Sequence, residues 1–247
     1  LKTEKEIVKK LPPGITLVCM PYTHGQVAAQ SMMSIVYGLV YGGLNKCVFS
    51  FHGENITSRA RNAFAMQAMD MGADYLFFVD SDMDWPVDTL ARLKALDADI
   101  ACTDMWARNW PSFRTVLEYG PKKRFKPREL VPVAMNGKVT GQRDVDCCGM
   151  ACTLIKVSLL EKFAKAKMMP FVTAKHGEDA SFCILAKQKF KASIRCDFDI
   201  VAGHWGMARM AGQEFTRDAR NMTGEIAEPE VIRRMGVLGL RDSSASP

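Results

Sequence analysis

Over residues 15–105, short apolar runs alternate with longer segments of helical periodicity, and no other feature of the chain constrains its fold as strongly. "ITLVCMP" (15–21), "KCVFSF" (46–51), "YLFFV" (75–79) and "ADIACTDM" (98–105) lack a regular polar face. Strands of that kind are covered on both sides, which calls for a largely parallel sheet flanked by helices. Between them, "QVAAQSMMSIVYGLVYGG" reads as a helix stopped by Gly42 and Gly43. "ENITSRARNAFAMQAMDMG" sets Ile56, Ala60, Ala63, Phe64, Ala68 and Met71 on one helical face and stops at Gly72. A third helix is expected near Pro86, with Val87, Leu90, Ala91 and Leu93 inward.

This first half reads as a Rossmann-type unit, and the expected class is α/β. From residue 106 to 146 the pattern breaks into "NWPSFRTV" and "GPKKRFKPREL", which predict irregular loops and short hairpin strands beside the main sheet. "VDCCGMACTLIK" returns to a buried strand, and "SLLEKF" opens a helix with Ser158 and Glu161 spaced as a capping box. "GEDASFCILAKQKF" is amphipathic, with Phe182, Ala186 and Phe190 on one face; "KASIRCDFDIVAGHWG" is a final strand or strand pair. One domain is expected over 15–206, with halves 15–105 and 106–206. Extensions are expected over 1–14 and 207–247, the last ending in a frayed "RDSSASP".

Composition adds mainly exclusions. The 247 residues are 48% hydrophobic and 24% charged, enough for a full core in an ordinary soluble protein. The formal charge of +6 suits phosphate-bearing ligands without specifying one. Eight scattered cysteines contain no Cys-x-x-Cys pair, so neither a zinc ribbon nor a disulfide framework is indicated, and they read as small core residues of a reduced, cytosolic protein. "LKTEKEIVKKLPPG" lacks an apolar signal core and an initiator Met, and reads as a trimmed start. The most apolar window, 27–51, is interrupted by Gly38, Gly42, Gly43, Asn45 and Lys46, so no membrane span is expected.

The functional signal is "YLFFVDSDMDWP" (75–86), a buried strand that ends in acid. Residues two apart in a strand point to one side, which would project Asp80 and Asp82 together and turn Ser81 away. Paired carboxylates repel unless a cation lies near them, and ligands of open α/β sheets bind at the carboxyl ends of strands. A plain polar turn needs one Asp or Asn rather than three acids. A calcium loop of the EF-hand type is excluded, because its required Gly and Glu positions hold Trp85 and Ala91.

With these residues the chain resembles nucleotide-sugar glycosyltransferases of the GT-A fold, particularly those like family 2. "FFVDSDMDWP" is similar to their Asp-x-Asp strand end. The resemblance implies that Asp82, with Asp80, binds Mn²⁺ or Mg²⁺ bridging the diphosphate of a nucleoside-diphosphate sugar, with Ser81 and Trp85 beside the donor. "SRARNAFAMQAMDMG" is similar to the family's Arg-Asn helix, which implies that Arg59, Arg61 and Asn62 lie near the nucleotide. Pro21 stands where such enzymes begin to cradle base and ribose, which brings in Tyr22 and His24. "DCCGMACTLIK" looks like the strand beneath the acceptor, with Gly149 permitting close backbone approach.

"HGEDASFCILAKQKF" is similar to the family's Glu-Asp helix start, which makes Asp179 the implied general base of an inverting transfer, with Glu178 beside it. A helix N-terminus favours the ionised form a proton acceptor needs, and either acid also suits an N-cap. His204 in "VAGHWG" corresponds to a further metal ligand, and an imidazole favours Mn²⁺ over Mg²⁺. Asp104, at the end of the strand after the acidic tip, reads equally as a sugar or acceptor contact and as a structural turn residue.

The implied activity is metal-dependent hexosyl transfer from a nucleotide sugar to an acceptor hydroxyl by inversion, with retention the alternative, because the fold also hosts retaining enzymes that need no such base. "KKRFKPR" (122–128) is basic with one aromatic, the pattern of a loop tracking a phosphate backbone or of a solvated loop. A small, mildly basic transferase fits a bacteriophage-type enzyme acting on hydroxymethylated bases of DNA in a host cytoplasm; a glycan or small molecule is the alternative acceptor. Two readings from other classes remain. A sugar-nucleotide nucleotidyltransferase needs a Gly-rich phosphate loop followed by Lys near the N-terminus, which is not evident. A non-catalytic nucleotide- or DNA-binding module needs neither Asp179 nor His204. Oligomeric state is not legible.

Overall fold

A computed structural model describes residues 14–22, 26–42, 44, 47–53, 56–107, 114–120, 130–133, 139–174, 177–205 and 209–210. His24, the basic run 122–128, and all of both extensions except residues 14, 209 and 210 lie outside the described residues. In chain order the elements are β1 (Thr16–Tyr22), α1 (Ala29–Tyr41), β2 (Cys47–Gly53), α2 (Thr57–Met71), β3 (Tyr75–Val79), β4 (Met83–Asp84), α3 (Thr89–Ala95) and β5 (Ile100–Asp104). There follow β6 (Leu117–Tyr119), β7 (Leu130–Pro132), β8 (Gln142–Asp144), β9 (Cys152–Lys156), α4 (Val157–Lys165), α5 (Gly177–Phe190), β10 (Ile194–Val201), β11 (Gly203–Trp205) and β12 (Arg209–Met210).

Seven strands form one mixed sheet in the order β2-β1-β3-β9-β5-β10-β8. β1 runs parallel to β2 and β3, and β5 runs parallel to β10. β9 lies antiparallel between β3 and β5, and β8 is antiparallel at the β10 edge. The sheet is therefore parallel in its main direction, with two strands reversed. β6 and β7 form the small hairpin expected of the 106–146 region. The inner apolar strands are buried as their sequences require, Leu76, Phe77, Phe78 and Val79 being fully inaccessible, whereas β2 lies at the sheet edge, only half-buried and with Phe51 exposed.

Several local expectations give way to packing. Ile56, Val87 and Ala91 are exposed rather than inward; α3 turns Thr89, Leu90 and Leu93 to the core instead. No capping box forms at α4, whose N-cap position is Lys156 and which has no side-chain cap bond. α2 does end at Gly72, in the left-handed region at φ 65° that glycine tolerates. All eight cysteines are free, and seven are buried. No helix among the described residues is long and apolar enough to cross a membrane.

A run of aromatic rings fixes α2 against α5. Phe64 of α2 meets Phe78 of β3, Phe78 meets Phe171 with centroids 5.5 Å apart, and Phe171 meets Phe182 of α5 at 4.6 Å. Phe182 in turn packs on Phe163 of α4, and Phe163 on Phe190. Both ends of the Asn62 amide clamp the Phe171 backbone, donating to its carbonyl at 2.6 Å and accepting from its N–H at 3.1 Å. This core sets the spacing between Arg61 and the first turn of α5.

Candidate active site

The acidic tip is a turn, not a continued strand. β3 ends at Val79, and the Met83 N–H donates to the Asp80 carbonyl at 3.2 Å. Asp80 and Asp82 thus reach the same region through turn geometry, not strand alternation. The Ser81 carbonyl faces α1, accepting from the Ala28 N–H at 2.7 Å and the Ser31 hydroxyl at 3.0 Å.

β4 follows at once and pairs with β11, setting His204 opposite Met83. The Trp205 N–H donates to the Asp82 carbonyl at 2.7 Å. Asp84 locks this pairing, because its carboxylate accepts from the Gly203 N–H at 2.9 Å and the Trp205 indole N–H at 2.7 Å. His204 Nε2 lies 3.2 Å from Asp82 Oδ1, and its Nδ1 is 3.1 Å from the Trp106 carbonyl. A carbonyl only accepts, so Nδ1 carries a proton and Nε2 is the atom turned to the carboxylate. Burial alone would lower the imidazole pKa, but the Asp82 hydrogen bond and charge outweigh it and hold the pKa above its ordinary value.

Arg61 is the second focus. Its side chain is 3% exposed and faces three carboxylates. Nη1 bonds Glu178 Oε1 at 2.9 Å and Asp179 Oδ1, and Nη2 lies 3.6 Å from Asp80 Oδ1. The other Asp179 oxygen, Oδ2, accepts from the Met150 N–H at 3.1 Å. Burial pushes the Asp179 carboxyl up to about 7; Arg61 opposes the shift, and the charges of Glu178 and Asp80 reinforce it. Burial likewise raises Asp80, with Arg61 opposing and Asp82 adding to the rise. Asp179 keeps 31% of its side chain accessible, so it remains open to a reactant.

Gly149 is the close-approach position. A Cβ there would stand 3.0 Å from Thr115 Oγ1 but 3.8 Å from Asp179 Oδ2, an ordinary contact, so the absent side chain makes room for Thr115 beside the backbone that meets the carboxylate. Glu178 and Asp179 lie within the first turn of α5, after Gly177 at φ 78°, rather than at its N-cap.

The structure brings Arg61, Asp80, Asp82, Gly149, Glu178, Asp179 and His204 together and assigns other candidates elsewhere. Asn62 is committed to Phe171. Trp85 is 7% exposed, packs edge-on against Phe77, and donates its backbone N–H to Ser34. Asp104 is a buried structural acid: Arg114 Nε and Nη2 bond its two oxygens at 2.7 and 3.1 Å, and burial raises its pKa against that pairing. Arg114 is itself fully buried, over the rings of Trp106 and Phe198. Arg59 is exposed on α2. Pro21 and Tyr22 are half-buried at the end of β1, the Tyr22 ring lying over Gly53. Arg114, Thr115, Asp84 and Met150 escaped sequence reasoning, since their roles come from contacts with distant or irregular segments.

Asp82 and His204 also meet the chemical requirement for a cation. Among the described residues, no three or more His, Cys, Asp or Glu side chains stand grouped as a ready-made metal site. Hard divalent ions that serve phosphate chemistry need only one or two protein ligands, the rest coming from substrate and water. A carboxylate beside an imidazole oriented by a backbone carbonyl fits that description.

The molecule has a mixed α/β fold, consistent with a Rossmann-like GT-A fold. Among solved structures it is similar to A197 from STIV, with TM-score 0.55 and 20% identity, covering 79% of this chain and 88% of that one. Weaker similarity links it to HddC from Yersinia pseudotuberculosis, with TM-score 0.42 and 11% identity over 76% of this chain and 92% of that one. No protein-family model matches the sequence, and no curated protein matches it.

Proposed function

We propose that the chain is a glycosyltransferase that moves a sugar from a nucleoside-diphosphate sugar to an acceptor hydroxyl with inversion. The observation that carries this reading is Asp179: an accessible carboxylate at a helix start, raised to about 7 and oriented by Arg61 and the Met150 N–H. It stands in one charge network with Asp80, itself beside Asp82 and His204. A general base works best when its pKa lies near the operating pH, so that it is deprotonated yet still takes a proton readily.

In the proposed reaction Asp179 takes the proton of the acceptor hydroxyl as its oxygen attacks the anomeric carbon. The bond from that carbon to the diphosphate oxygen breaks, and its electron pair leaves with the nucleoside diphosphate. Asp82 and His204, assisted by Asp80, would hold Mn²⁺ or Mg²⁺, whose charge stabilises the leaving diphosphate. Arg61 keeps the base in place and, on this reading, does not touch the nucleotide. Pro21 and Tyr22, with His24, remain the proposed nucleoside end of the site.

Calorimetry with UDP, GDP, ADP and TDP, with and without Mn²⁺, tests the donor half. One nucleotide should bind in a Mn²⁺-dependent manner, and Asp82→Ala should lose at least tenfold in affinity. Equal binding with and without metal, or an unaffected Asp82→Ala, contradicts the assignment. A DNA acceptor is a separate proposal: modified duplex carrying hydroxymethylated bases should bind with strong salt dependence, whereas salt-independent retention excludes it.

A further inference from the structure

Helix α1 presents its apolar side outward. Its buried positions are Ser31, Ser34, Ile35 and Gly38, whereas Met32, Met33, Val36, Tyr37, Leu39, Val40 and Tyr41 are between 39% and 75% exposed. At 3.6 residues per turn these seven sweep about 200° of the helix circumference. A surface helix normally turns its apolar stripe to the core.

The orientation is fixed from below. Ser31 donates to the Ser81 carbonyl, and Ser34 accepts from the Trp85 N–H. A Cβ on Gly38 would fall 2.3 Å from Leu44 Cδ1, and one on Gly42 would fall 2.1 Å from the Val87 carbonyl oxygen. Rolling the helix to bury its apolar side would break both hydrogen bonds and force these close contacts apart.

The accessible surface of these seven residues is on the order of 700 Å², near the ~800 Å² per partner of a standard interface. The helix carries no Asp, Glu, Lys or Arg. We propose that this face is the contact of a homodimer, α1 packing on α1 of a second copy about a two-fold axis. An uncharged apolar face is self-complementary, as a two-fold contact requires. With the two-fold axis perpendicular to the helices they run antiparallel, the Met32 and Met33 end of one against the Val40 and Tyr41 end of the other. A helix built for a lipid surface would flank its apolar side with Lys and Arg, and α1 has neither. Because Ser31 and Ala28 hold Ser81, the contact would also brace the acidic turn of each subunit.

Size-exclusion chromatography with light scattering at micromolar concentration tests this on the full chain. The native protein should show twice the 27.5 kDa chain mass. Tyr37→Glu with Val40→Glu, and separately Val40→Lys, should weaken association at least tenfold and give monomer with an unchanged circular dichroism spectrum. Both side chains are exposed, so the substitutions leave the core intact. A native protein that is monomeric at tens of micromolar overturns the proposal, and co-sedimentation of that monomer with phosphatidylglycerol vesicles would assign the face to lipid. A dimer that survives both variants also overturns it.

Discussion

Arg61 and Asp179, 118 residues apart in sequence, meet as a hydrogen-bonded ion pair between helix α2 and the first turn of helix α5. The pair joins the two halves of the site, since the same guanidinium reaches Glu178 and Asp80. Its geometry depends on the aromatic run from Phe64 through Phe78 and Phe171 to Phe182, which holds the two helices at this spacing.

Asp179→Asn should lower turnover by about 10²–10⁴ while leaving donor affinity within a few-fold. In the native protein kcat/KM should rise with pH through about 7 and then level, because only the ionised carboxylate accepts a proton. A flat pH profile in the native protein, or an active Asn variant, contradicts the base assignment.

The same variant should stabilise the fold above neutral pH. Burial raises the Asp179 pKa from the unfolded value of 3.8 to about 7, so between those values the folded state binds more protons. Stability contributed by this group is therefore present at low pH and is lost as pH rises through about 7. Partial exposure and the remaining partners of Arg61 reduce the effect, and a gain of about 1 kcal/mol at pH 8 is expected for Asp179→Asn in urea unfolding.

Arg61→Met should destabilise strongly. Removing the cation leaves Asp80, Glu178 and Asp179 crowded without compensation, and breaking buried ion pairs in this way costs about 3–5 kcal/mol. Thermal unfolding should show a drop that Arg61→Lys recovers only in part, since an ammonium cannot present the same fork of donors.

Asp104→Ala should behave as a stability variant. It leaves the fully buried Arg114 without its bidentate partner and should cost about 3–5 kcal/mol. Donor KM measured below the lowered melting temperature should stay unchanged; a raised KM with native stability would restore a substrate contact for Asp104.

The alternating strands and helices were legible because each buried strand needs a continuous apolar run and each helix stops at a residue such as Gly72. The antiparallel insertion of β9 between β3 and β5 was not, since an apolar strand such as "CTLIK" carries no mark of its direction. Among site residues, Asp80 and Asp82 stood out as paired acids at a strand end, whereas Asp179 and His204 stood out only through the family resemblance, since an acid at a helix start also suits an N-cap and a lone histidine suits a loop. Arg61 was visible as a basic residue on the correct helix, but its partners lie in distant segments, and local sequence suggested phosphate instead. Asn62, expected near the nucleotide, is committed to Phe171 instead, and of the two readings of Asp104 the structural one holds; sequence could not show either, because Arg114 and Phe171 reach these residues only through tertiary packing. The outward apolar face of α1 was invisible because periodicity reveals a stripe without showing which side the body of the protein occupies.

The most direct test follows the leaving group. UDP-, GDP-, ADP- and TDP-sugars are incubated with Mn²⁺ and candidate acceptors, including hydroxymethylated DNA, while nucleoside diphosphate and pyrophosphate are measured for the native protein, Asp82→Ala and Asp179→Asn. Metal-dependent release of nucleoside diphosphate from at least one donor, lost in both variants, is the predicted result. Release of pyrophosphate, or nucleoside diphosphate release that Asp82→Ala leaves unchanged, would contradict the account.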